Sequence, residues 1–190
     1  MPTASIRALG GDESREFELS FSSEEPYTRY FGPEILDHSG NCCDLSRLQE
    51  IGVVLYNHNR DNVCGKIKRA WIENGRGCAI VEFDDDDESE RICKKVRSGT
   101  LKGVSVGYQV DIWEDVAANK KSLDGRFDGP CEIARSWMPF EISIVSVPAD
   151  ATVGVGRELD ADPTPLPAEN QNPTRNLSAY ERSVTANKNL

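Results

Sequence analysis

Serine catalysis needs a base, and the chain offers only two histidines to supply one, His38 and His58. A serine hydroxyl attacks a carbonyl when a neutral base within hydrogen-bond reach takes its proton, and a third group usually orients that base. His38 stands in Asp37-His38-Ser39-Gly40, a polar, turn-forming string in which an exposed or capping imidazole is expected. His58 follows the apolar run Val53-Val54-Leu55-Tyr56, where a strand leaves the core and functional side chains commonly sit; a structural histidine is the competing reading. Ser105 lies between Gly103 and Gly107, on the strand face opposite Val104, Val106 and Tyr108. The glycines leave room for a substrate backbone, but a bulge or tight packing is the plainer explanation, and Ser105 is on this ground only a candidate. Glu141 interrupts the apolar stretch Phe140-Glu141-Ile142-Ser143-Ile144-Val145-Ser146-Val147 and shares a face with Ser143, Val145 and Val147. A carboxylate there needs a partner, of which His58 is the obvious one; an edge-strand glutamate facing solvent is the alternative.

Other reactive groups offer less. The run Asp84 to Asp87, with Glu88 and Glu90, lacks the spacing of a calcium loop and reads as helix capping and solvated charge. Cys64 is close to His58 in sequence, but sequence neighbours are not a geometric pair, and free cysteine is mostly packing. Cys42, Cys43, Cys64, Cys78, Cys93 and Cys131 form no C-x-x-C pair and no zinc spacing, so free thiols are expected, with no metal and no cofactor. A formal net charge of -10 argues against a nucleic-acid footprint. The absence of a long apolar run argues against a membrane span and for a soluble, intracellular protein.

These side chains must be positioned by elements that the pattern also marks. Glu16–Phe21 alternates as a strand, and Pro26 to Asp44 reads as loop with a short strand near Glu34 to Asp37. Asp44 caps a short helix ending at Gly52, and the strand Val53–Tyr56 leads into a loop at 57–61. A hairpin over 65–72 and 78–83 turns at Asn74-Gly75, and a helix follows over 88–98 with Gly99 as its stop. A strand covers 100–112, then a loop 114–130, then two strands, 132–137 and 140–147. Residues 1–9 read as a flexible N-terminus, 10–156 as the folded domain and 157–190, rich in Pro, Asn and Thr, as a disordered tail or linker. The class is α+β, mainly β, with a barrel as the natural closure.

Three segments in order resemble the tailed-phage prohead serine proteases, relatives of the herpesvirus assemblins. They are Leu55-Tyr56-Asn57-His58-Asn59 before Val63-Cys64-Gly65-Lys66-Ile67; Ser98-Gly99-Thr100-Leu101-Lys102-Gly103-Val104-Ser105-Val106-Gly107-Tyr108; and Phe140 through Val147 with Pro148-Ala149-Asp150. The resemblance implies a partly open, assemblin-like β-barrel flanked by a few helices, with His58 as base, Ser105 as nucleophile and Glu141 as third member. Assemblins use a second histidine in that last role, and no histidine follows Ser105 here. It also implies a substrate, the major capsid protein or its scaffold region and the protease itself, a homo-oligomer, and a workplace in the host cytoplasm inside the assembling prohead. A catalytically inactive scaffolding module of the same fold is the alternative. The string Gly103-Val104-Ser105-Val106-Gly107 is not a nucleophile elbow, because it lies within a strand and the histidine precedes the serine.

Overall fold

A computed structural model describes residues 7–11 and 13–148. The elements run β1 (Arg7–Ala8), β2 (Glu16–Ser23), β3 (Tyr27–Arg29), β4 (Gly32–Leu36), α1 (Ser46–Ile51), β5 (Val53–Tyr56), β6 (Asn59–Glu73), β7 (Arg76–Phe83), α2 (Asp87–Arg97), β8 (Gly103–Val116) and β9 (Cys131–Val145). The strands form one curled sheet in the order β1-β2-β7-β6-β5-β9-β4-β3, with β8 paired to β9, so the mainly β expectation holds. The tail expected over 157–190 lies outside the described residues.

Alternation drives the burial. Phe17, Leu19 and Phe21 of β2, Ala79, Val81 and Phe83 of β7, and Ile142 and Ile144 of β9 turn inward to a core that also takes Trp137. On α2, Asp86 caps the N-terminus by accepting from the N–H groups of Glu88 and Ser89, both at 3.0 Å. Asp87, Glu88 and Glu90 in its first turn and Lys94, Lys95 and Arg97 in its last complement the helix dipole, while Ile92, Cys93 and Val96 are buried. The acidic run is thus a helix start, as its spacing suggested. All six cysteines are free.

Four sequence expectations are corrected. Pro26 to Asp44 holds two strands rather than one, because β4 finds a parallel partner in β9, with Ile35 beside Ile133. The loop expected at 57–61 is a tight turn, and β6 begins at Asn59. The two strands expected after residue 131 are one, β9, despite Pro139. Pro139 falls where the β4 pairing has ended at Ala134 and the β5 pairing has not begun at Glu141, so its missing N–H costs no ladder bond on that edge. Finally, His38 is buried, not exposed. Its Nδ1–H donates to the Leu36 carbonyl (2.8 Å), its Nε2 accepts from the Ser22 hydroxyl (2.7 Å), and its ring packs edge-on to Trp137. Burial holds its pKa below the ordinary imidazole value.

Beside His38 the fully buried Asp37 carboxylate takes Arg126 and Arg135, and Arg135 also holds Glu114 (2.7 Å) and Asp124 (2.8 Å). These bonds tie the loop after β8 to the body of the sheet. Asp37→Ala removes the carboxylate's charge-assisted hydrogen bonds to both guanidiniums and to the Ser39 N–H, and is expected to cost about 3 kcal/mol of stability although each arginine keeps other acidic partners. A shift of the urea midpoint with an unchanged slope checks this; an unshifted midpoint contradicts it.

Candidate active site

Three adjacent strands bring the sequence-selected residues to one region. β5 runs parallel to β9, with Val53 beside Glu141 and Leu55 beside Ser143, and β8 runs antiparallel on the other side of β9. Across that second pairing Ser105 stands opposite Ser143 and Gly107 opposite Glu141. Directly opposed residues share a sheet face and have β-carbons about 5 Å apart. Ser105, Glu141 and Ser143 therefore lie on the face opposite Val104, Ile142 and Ile144, which fill the core.

His58 reaches this face from the end of β5. Tyr56 pairs with Asn59, so Asn57 and His58 alone make the turn, with φ of 51° and 57°. Positive φ at both central residues is the backbone of a type I′ hairpin, whose twist suits the flanking strands. Asparagine tolerates that region; histidine does so less readily, and β9 holds the turn down. The Asn57 N–H donates to the Ile144 carbonyl (2.9 Å), the Ser146 N–H to Asn57 Oδ1 (3.0 Å), and the His58 N–H to Ser143 Oγ (3.1 Å).

The imidazole then meets the acid. His58 Nδ1 and Glu141 Oε1 are 2.7 Å apart, with the carboxylate buried and the histidine side chain 46% exposed. The hydrogen bond from Glu141 raises the His58 pKa above its ordinary value, outweighing the opposing effect of burial. With Nδ1–H donated to the carboxylate, Nε2 carries the lone pair and can take a proton. The glycine of β8 next to this pair explains itself: a β-carbon at 107 would overlap the Glu141 carboxylate and lie 2.7 Å from the Phe140 ring. Gly103 is held likewise, since a β-carbon there would stand 2.6 Å from the Val145 carbonyl. The close packing of the protein's own groups, rather than room for a substrate, accounts for both.

The side-chain hydrogen bonds of the region join His58, Glu141 and Ser143; among the described residues the Ser105 hydroxyl is not bonded to them. Ser105 is partly exposed; the cleft that Phe21, Tyr27, Leu36, Val104 and Val106 line touches β8 at Ser105 but takes in neither His58, Glu141 nor Ser143.

All of these residues fall inside a match to the family model of caudovirus prohead serine proteases, which covers residues 17–162. The chain belongs to that family. This prohead protease family member is also similar to a protein named Major capsid protein from Halomonas phage phiHAP-1, at 38% identity over 148 residues. The match takes in 75% of the chain but only 23% of the capsid protein, so the chain spans under a quarter of that relative's length. No solved structure is significantly similar to it.

Within the family member, Cys64 is unsuited to the nucleophile's role. It is fully buried, its thiol faces the Val54 carbonyl, and burial pushes its pKa up to about 12. Two residues that sequence reasoning passed over belong to the region, Asn57 and Ser143. Ser143 was legible as sharing a face with Glu141, but its contact with the turn crosses between strands distant in sequence.

Proposed function

We propose that this chain is a serine endopeptidase of prohead maturation, with Ser105 as nucleophile, His58 as general base and Glu141 as the group that orients and stabilises the imidazolium. The observation that supports it best is the 2.7 Å bond between His58 Nδ1 and the buried Glu141, one strand away from Ser105. That bond selects the tautomer whose Nε2 can accept the Ser105 proton as Oγ attacks a peptide carbonyl. The proton then passes to the leaving amine, and water repeats the sequence on the acyl-enzyme. Tightening of a loose serine contact on substrate binding is common, so the unbonded Ser105 hydroxyl is consistent with this role.

The family points to capsid maturation, and the likeness to a protein named Major capsid protein supports the capsid or its scaffold region as partner and substrate. We place the reaction inside the assembling prohead in the host cytoplasm, with the protease as a homo-oligomer that also cuts itself. That same likeness favours a second reading, an assembly module without catalysis. Co-expression with the capsid protein separates them. Cleavage lost on Ser105→Ala supports the protease; cleavage unchanged by it overturns the assignment. No cleavage at all from the wild-type chain favours the module.

A pH dependence follows from the raised His58 pKa. The base works when neutral, so kcat/KM should rise with pH through a midpoint above the ordinary imidazole value of about 6.5. The ion pair behaves oppositely. Its contribution to stability is fully present below the unfolded-state pKa and is lost as pH rises through the raised folded value. Activity should therefore climb where the stability difference between wild type and His58→Ala shrinks, which paired rate and thermal-melt profiles would show. A midpoint below 6.5 would contradict the pairing.

A further inference from the structure

The buried hydroxyl of Ser143 closes a ring of hydrogen bonds around the base. Its side chain has no exposed surface. It accepts from the His58 N–H at 3.1 Å and donates to Glu141 Oε2 at 2.8 Å, while Glu141 Oε1 accepts from His58 Nδ1 at 2.7 Å. The His58 backbone N–H can only donate, so the Ser143 hydroxyl accepts on that side, and it donates its own proton to Glu141 Oε2 on the other. The ring leaves from the backbone of His58 and returns to its imidazole.

We infer that Ser143 is a positioning residue of the proposed catalytic site, acting through Glu141 and through the turn that carries His58. This rests on the reading of His58 and Glu141 as base and orienting acid. Two consequences follow from the ring. First, Oε2 is satisfied, so the carboxylate has no reason to rotate away from the imidazole; a buried carboxylate oxygen left without a donor would seek one. Second, the His58 backbone sits at a φ of 57°, a region in which a side chain is strained, and the Ser143 hydroxyl holds its N–H there. One hydroxyl thus fixes both the acid and the main chain of the base, which is what a base held within a fraction of an ångström requires. A hydroxyl is needed because the position must accept on one side and donate on the other; alanine does neither.

The test is a double-mutant cycle on kcat/KM between Ser143→Ala and Glu141→Ala, with the uncleaved capsid protein as substrate and His58→Ala as control. Ser143→Ala alone should lower kcat by about tenfold with little change in KM. On top of Glu141→Ala it should cost less than about threefold, because the acid it acts through is gone. Ser143→Thr, which keeps the hydroxyl, should recover most of the loss. Should Ser143→Ala not accumulate as folded protein, Ser143→Cys keeps the volume with a weak donor and should lose at least fivefold. Equal costs in both backgrounds, or no loss in any variant, would overturn the inference. If His58→Ala itself retains full rate, the catalytic reading fails instead.

Discussion

Ser105→Ala should reduce kcat/KM by at least about 10³-fold, with the protein's melting temperature unchanged. The large figure follows from the proposed assignment of Ser105 as nucleophile, under which no acyl-enzyme forms without the hydroxyl and only binding and electrostatic effects remain. The small structural cost follows from the setting. Ser105 is partly exposed and its hydroxyl is bonded to none of the groups around it, so its loss leaves no buried polar atom unsatisfied among the described residues. Combining it with His58→Ala should cost little beyond either change alone, because nucleophile and base act as a unit. Full additivity would mean that the two do not share a step.

Glu141→Gln is the second large effect, on the order of 10²- to 10⁴-fold in kcat by the general behaviour of such acids. The amide nearly matches the shape of the carboxylate but carries no charge to stabilise the imidazolium. With its NH₂ on the Ser143 side, the amide also takes away the acceptor of the Ser143 hydroxyl proton. The His58 pKa, raised chiefly by its bond to Glu141, should fall, and the acid limb of the rate profile should move to lower pH even as the maximum rate drops. A lower rate with an unmoved acid limb would show that Glu141 is structural only.

How much of this was readable depends on distance along the chain. The two faces of β8 and β9 were legible because strand alternation is local, and it assigned Ser105 to one side and Val104, Val106 and Tyr108 to the other. The hairpin at Asn74-Gly75 was legible because both residues suit positive φ, which they adopt at 51° and 70°. The equivalent turn at Asn57-His58 was not, because histidine is a poor signal for that backbone. What holds it comes from β9, more than 80 residues later, as the bonds from His58 to Ser143 and from Ser146 to Asn57 show. His38 was misread for the same reason: Ser22 and Trp137, which bury it, are remote in sequence. The single strand β9 reads locally as two because nothing nearby reveals that Pro139 lies in the gap between two parallel partners.

The central claim is that Ser105 is a nucleophile activated by His58, and covalent labelling tests it without knowledge of the cleavage site. A fluorophosphonate added to the full chain should give a single adduct by intact mass, mapped to Ser105 by peptide sequencing. The adduct should be absent in Ser105→Ala and should form much more slowly in His58→Ala. An adduct on another residue, or labelling undiminished by Ser105→Ala, would contradict the account.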